Sequence, residues 1–138
     1  NTISGWTHVA IVSDGVRYST VYLNGIAVTT YTNPSLGNLK PPVYNITSLV
    51  IGKRVGGGYT GDFPGKFDEI RFWSSIRSQS EIQANMNSEL NAQAGLLYVA
   101  HFNEGVANGN NAGITTAADA SGNGVNGTLN NFALSGVT

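Results

Sequence analysis

The sequence predicts an all-β, antiparallel fold with one short helix, and three observations carry that expectation. Only 11% of the 138 residues are charged while 18 are glycine, a balance that suits many turns between short strands better than helices studded with Lys and Glu. Runs of β-branched and aromatic residues alternate with Asp-Gly, Asn-Gly and glycine-rich punctuation along most of the chain. A single stretch joins a helix-start signal to a helical apolar stripe.

The elements follow in order. Trp6 to Ser13 reads as a strand that Asp14-Gly15 ends before a second run, Val16 to Leu23. Asn24-Gly25 tolerates the positive φ angles of a type I′ turn, so Ile26 to Tyr31 returns as the third strand of an antiparallel meander. Both alternations of the first run are largely apolar (Trp6, Ala10 and Val12 on one face, Val9 and Ile11 on the other), which predicts a central strand covered on both sides. Asn33 to Pro42 holds three of the four prolines and is expected to form a long surface loop.

Thr47 to Lys53 is expected to resume as a strand, Gly56 to Gly61 to break it, and Lys66 to Ser74 to follow as a strong strand. Ser78-Gln79-Ser80-Glu81 has the spacing in which a hydroxyl and a carboxylate satisfy the first free amides of a helix. Ile82, Met86 and Leu90 then form one apolar stripe. A helix near Ser80 to Leu90 is predicted. Gly95 to Phe102 and Gly127 to Leu134 read as strands on either side of a Gly- and Asn-rich stretch, Glu104 to Gly124, too long for a simple turn.

Composition narrows function. Seven Lys plus Arg against eight Asp plus Glu leave no basic face for nucleic acid. No apolar run approaches the roughly 20 residues of a membrane-spanning helix. The lack of cysteine excludes disulfide scaffolds, thiolate zinc sites and Cys nucleophiles. Asn1 opens without a start methionine or leader and the C-terminal end stops in mid-pattern, so the sequence reads as an excerpt of a longer chain, with a circularly permuted domain as the alternative.

Gly5-Trp6-Thr7-His8-Val9-Ala10, Tyr22-Leu23-Asn24-Gly25, Ile51-Gly52, Gly65 to Trp73 (GKFDEIRFW) and Ser80-Glu81-Ile82 occur in the order and spacing of one family. The chain resembles the laminin-G-like, concanavalin-A-like jelly rolls, particularly a bacterial branch that is also similar to pentraxins. The resemblance covers Gly5 to about Asn103 and implies a jelly-roll β-sandwich of two antiparallel sheets with a short helix near its C-terminal end.

In that family a segment before the Gly-Trp-x-His-Val phrase supplies the first strands, and this chain starts after it. Gly95 to Gly105, Asp119 to Gly124 and Asn126 to Leu129 in turn look like the family's opening motif. Residues 1–103 are therefore expected to be a laminin-G-like module short of its first strands, and 104–138 a loop and strand extension. Such a tail resembles modular secreted surface proteins of gliding, polysaccharide-degrading bacteria, where it often precedes a secretion-system sorting domain.

Candidate chemistry is sparse. His8 and His101 each sit in a strand-like run, where a packed or surface role is expected, and neither Gly-x-Ser-x-Gly nor His-Glu-x-x-His occurs. Asp68 and Glu69 are adjacent, so on a strand they point to opposite faces and cannot flank one glycosidic bond. Glu69 and Arg71 share a face and are expected to pair. Asp68, with Ile70 and Phe72, needs a hydrogen bond or a cation. Calcium is the ion an oxygen-only composition can hold, with Asp119 in its flexible Asp-Ala-Ser-Gly-Asn-Gly loop as the second candidate ligand. The alternative for that loop is an Asx turn.

Sugar binding needs exposed aromatic platforms. Tyr59 in its glycine loop is the first choice, Tyr31 and Tyr44 beside the proline-rich loop the second, while Trp6 and Trp73 are expected in the core. Taken with the resemblance, these residues point to a non-catalytic glycan-binding or adhesion module of a secreted or cell-surface bacterial protein. Its expected partners are carbohydrate, neighbouring modules of the same chain or a secretion machinery. A structural spacer is the alternative reading, with a glycan-cleaving enzyme behind it.

Overall fold

The computed structural model describes residues 5–15, 18–32, 49–53, 61 and 63–130. Its strands are β1 (Val9–Ser13), β2 (Tyr18–Leu23), β3 (Ile26–Thr32), β4 (Ile70–Trp73), β5 (Leu96–Ala100), β6 (Thr116–Ala117) and β7 (Gly127–Thr128), with one helix, α1 (Gln79–Asn85), between β4 and β5. Every pairing among them is antiparallel: β1-β2-β3, β4-β5 and β6-β7. The expected all-β class with one short helix is the class observed.

The meander forms where the turn residues place it. Asn24 and Gly25 have φ of 48° and 74°, the left-handed pair of a type I′ turn that joins Leu23 to Ile26. Asn24 also extends the first ladder: its amide donates to the His8 carbonyl and its Oδ1 accepts from the His8 amide, both at 2.9 Å. At the other end Asp14 Oδ1 accepts from the Tyr18 amide at 3.0 Å. Pairing shifts between Val21, opposite Thr29, and Tyr22, opposite Ala27, so Val28 is the extra residue of a β-bulge.

The middle strand is β2. This corrects the expectation that the first strand is central and doubly covered: among the described residues β1 pairs with β2 alone, and Val9 and Ile11 are exposed, Ile11 by 71%. Apolar residues on both faces resemble a buried strand, but among the described residues β1 has a pairing partner on one side only. Trp6, expected in the core, is 69% exposed. Trp73 is half-buried, with the Arg77 guanidinium 4.2 Å from its ring centroid.

Other boundaries move for local reasons. Residues 49–53 form only an isolated bridge at Lys53 in place of a strand, and Leu49, Val50 and Ile51 are exposed. The strand expected from Lys66 begins only at Ile70, because Glu69 has φ of 52° and breaks the extended run. The stretch from Glu104 to Gly124 is not irregular throughout, since it contains β6. The proline-rich loop, the glycine loop from 54 to 60 and the C-terminal run from 131 lie outside the described residues.

Helix α1 starts as the spacing predicts. Ser78 is the N-cap, its Oγ accepts from the Glu81 amide at 3.3 Å, and its own amide donates to Glu81 Oε2 at 2.8 Å. The helix stops at Asn85, well short of Leu90. Asn85 Nδ2 bonds back to the Glu81 carbonyl at 2.8 Å, and the Asn85 carbonyl accepts from Arg71 and, in a tighter three-residue turn, from the Ser88 amide. Ile82 is the buried residue of the expected stripe. Gln79 and Gln83 donate to the Gly25 carbonyl at 3.0 Å each, which docks α1 on the β2–β3 turn. Ile82, Leu96, Val99, Ala100 and Ala117 make up the apolar core of the described residues.

Candidate functional site

Charged and titratable side chains converge where β4, β5 and the end of α1 meet. Arg71, on β4, is 10% exposed at its side chain. It donates through Nη1 to the Asn85 carbonyl at 2.8 Å, and through Nη2 to Glu69 Oε2 at 2.8 Å and to the Ser88 carbonyl. A guanidinium is suited to this because its planar fork presents several donors at once, and a cation at a helix C-terminus meets the negative end of the helix dipole.

Glu69 is held from its other side by His101 Nδ1, 2.5 Å from Oε1. The left-handed backbone at Glu69 is what places one carboxylate between Arg71 and a histidine 32 residues away. His8 adjoins the same cluster: burial, and then the positive field of Arg71, lower its pKa from the usual imidazole value. Three buried polar atoms of these residues, His8 Nδ1, Arg71 Nε and His101 Nε2, have no hydrogen-bond partner among the described residues.

The expected Glu69–Arg71 pair is therefore present, but as part of a larger network and by a different route, since Glu69 is not in the strand. The part played by His101 was not legible, because nothing in a sequence pairs residues so far apart. Beyond His101 the chain turns sharply at Phe102, which has φ of 56°. A cavity of about 230 Å³ follows, lined by His101, Asn103, Glu104, Ala118 and Ala120.

Asp119, a candidate calcium ligand, stands in sequence between the cavity residues Ala118 and Ala120 and is the hub of its loop. Its Oδ1 accepts from the amides of Val99 and Ser121 at 3.1 and 2.9 Å, and its Oδ2 from Ser121 Oγ and the Val125 amide at 2.9 and 3.0 Å. Burial works against the charged form, but these hydrogen bonds outweigh it and hold the carboxyl down at about 2. The loop also covers the outer edge of β5. Ala120 N donates to the Val99 carbonyl at 2.9 Å, Ser121 Oγ to the Leu97 carbonyl at 3.2 Å, and Asn123 Nδ2 to the Leu96 and Leu97 carbonyls at 3.0 Å.

Asp68, the other candidate ligand, is exposed before β4, and its Oδ1 accepts from the next amide, Glu69 N, at 3.0 Å. Among the described residues no three His, Asp or Glu side chains stand together as a metal site. Asp119 already accepts from four donors in this arrangement. Of the three tyrosines, Tyr31 is 64% exposed near the end of β3, and Tyr44 and Tyr59 lie outside the described residues. Among the described residues, no contact links Asp68, Asp119 and Tyr31. The convergence the structure does show, at Glu69, Arg71 and His101, joins groups singled out for other reasons.

No described helix is long and apolar enough to cross a membrane. Searches of curated proteins and of solved structures returned no match. A family model described as the concanavalin A-like lectin/glucanases superfamily, of laminin-G type, matches residues 2–83. That span is more than half of the 138 residues and contains β1 to β4 and most of α1. The antiparallel strands with one short helix are those of this β-sandwich class, and the chain belongs to the concanavalin A-like lectin/glucanases superfamily.

Proposed function

We propose that this chain is a non-catalytic glycan-binding or adhesion module of a secreted or cell-surface bacterial protein, working beside other modules of its parent chain. Family membership supports carbohydrate as the partner class. The observation that carries the reading further is Tyr31, which is 64% exposed on β3 and with Tyr44 flanks the proline-rich stretch in the sequence. An exposed tyrosine offers an apolar face for a pyranose ring and a hydroxyl for its substituents. The non-catalytic part rests on how the acids are used. Glu69 is tied to Arg71 and His101, and Asp119 accepts four donors, so neither is poised as a general acid or nucleophile.

A glycan array probed with the 138-residue chain and with Tyr31→Ala, Tyr44→Ala and Tyr59→Ala tests this. Binding of a defined glycan class that weakens in one or more of the tyrosine variants, with no release of reducing ends from that glycan, is the expected result. An array without signal favours the structural spacer, and reducing ends released in proportion to protein favour a glucanase.

A further inference from the structure

We infer that the open face of the β1–β2–β3 sheet is a self-association surface, on which a second copy of this chain packs sheet against sheet in a two-fold dimer. The inference goes beyond the glycan-binding reading and does not rest on it.

The pairing registers define the face. Val9 lies opposite Leu23 and Ile11 opposite Val21, while Leu23 and Val21 lie opposite Ile26 and Thr29 on the other side. Directly opposed residues of an antiparallel pair point the same way, and residues two apart on a strand share a side. One side of the sheet therefore gathers Val9, Ile11, Val21, Leu23 and Ile26. Val9, Ile11 and Ile26 are 52%, 71% and 62% exposed there. The opposite side turns toward the rest of the protein, since Ala10 and Val12 are half-buried and His8, in step with them, feels the charge of Arg71.

The composition of the face is unsuited to water. None of the chain's charged residues and none of its prolines falls within β1, β2 or β3. Sheets that stay open in solution are guarded by such residues on their edges or exposed side. A second copy fits because a two-fold contact sets one patch against itself, and uncharged β-branched side chains meet their own copies without repulsion. Ser13 and Ser19 at one end of the face and Asn24 at the other supply a polar rim. Edge-to-edge pairing fits less well, because the bulge at Val28 interrupts β3 and β1 is only five residues long.

Area sets the strength. The open face, rim included, offers on the order of 500 Å², as much as the largest apolar patch of a typical monomer. Two copies face to face remove about 1,000 Å², near the lower limit for a specific interface, so the dimer is weak and reversible. Tyr31, opposite Ser19, stands at the rim. In the glycan-binding reading each dimer thus carries two such tyrosines, a gain in avidity for a weak binder.

The test is sedimentation equilibrium of the 138-residue chain over a concentration series, with far-UV circular dichroism of each variant. A monomer–dimer equilibrium with a Kd of roughly 1–100 μM and no larger species is expected. Ile11→Glu, at a position exposed in the single copy, should keep the fold and raise Kd by about a hundredfold or more, because each copy would have to desolvate a carboxylate. Ile26→Thr keeps the β-branch and should raise Kd by about tenfold; it decides the matter alone if Ile11→Glu does not fold. A chain that stays monomeric throughout, one that grows past the dimer, or a dimer of unchanged affinity in a folded variant overturns the proposal. A monomer that still binds glycan on the array loses the dimer and keeps the glycan-binding reading. A dimer sensitive to both substitutions but silent on the array does the reverse.

Discussion

Arg71 Nη1 stands 2.8 Å from the carbonyl oxygen of Asn85, so a β4 side chain caps the last turn of α1 while its second nitrogen holds Glu69. Replacing Arg71 by Ala leaves helix-end carbonyls and a partly buried carboxylate without their main donor. The expected loss is about 2 kcal/mol, below the cost of breaking a fully buried pair because Glu69 keeps some access to water. Arg71→Lys should lose less, about 1 kcal/mol, since an ammonium keeps the charge but cannot span the three acceptors. Urea unfolding of both variants checks the order. Equal loss in both would show that charge contributes nothing beyond the fork.

Gly25 is constrained from two directions. Its φ of 74° is one that L side chains rarely adopt, and a Cβ there would come within 2.6 Å of Gln83 Cγ. Gly25→Val should therefore destabilise by about 2 kcal/mol, beyond the ~1 kcal/mol that backbone strain alone supplies, because α1 must also move off the turn and weaken the bonds from Gln79 and Gln83. Gly25→Ala keeps both the strain and the Cβ overlap, so it should lose part of the same stability. A melting temperature unchanged in Gly25→Ala would contradict the docking of α1 on this turn.

The turns and the helix start were legible because they depend on residues within a few positions of one another: Asn24 with Gly25, Ser78 with Glu81. Element ends were less so. The helix ends at Asn85, where Arg71 bonds the Asn85 carbonyl, and that is a tertiary contact. Glu69 ends the strand run with a left-handed backbone that its composition does not announce. The candidate site was legible only in pieces. Glu69 with Arg71 follows from spacing, but His101 reaches them through the pairing of β4 with β5, which depends on the whole fold. Asp119 stood out in the sequence as a candidate calcium ligand or the start of an Asx turn, and in the structure its partners are amides and a hydroxyl.

His8 gives the fold a measurable pH dependence. Burial and Arg71 lower its folded pKa below the ordinary value of about 6.5, so the unfolded chain takes up the proton first as pH falls. His8 therefore costs nothing above that value, and stability declines as pH drops below it toward the folded pKa. In His8→Gln the slope of melting temperature between about pH 6.5 and 5 should flatten, whereas a substitution at an exposed, unlinked position should leave it intact. An unchanged slope in His8→Gln would place the acid sensitivity elsewhere.

Asp119 separates a structural carboxylate from a metal ligand. Its folded pKa of about 2 lies below the ordinary 3.8, so the stability it contributes is fully present above 3.8 and is lost as pH falls from there to about 2. Asp119→Asn keeps the size but turns an NH₂ group toward donors that need an acceptor, and should cost about 2 kcal/mol at neutral pH while removing that acid-side slope. A calcium ligand would behave differently, because a bound ion stabilises the folded chain in proportion to its concentration over Kd. Four donors on Asp119 leave little capacity for a cation, so melting curves in calcium and in chelator should coincide for the parent chain, and Asp119→Asn should be destabilised by the same amount in both. A calorimetric calcium signal that vanishes in Asp119→Asn, with a raised melting temperature in calcium, would reverse this conclusion and make the loop a metal site that rearranges around the ion.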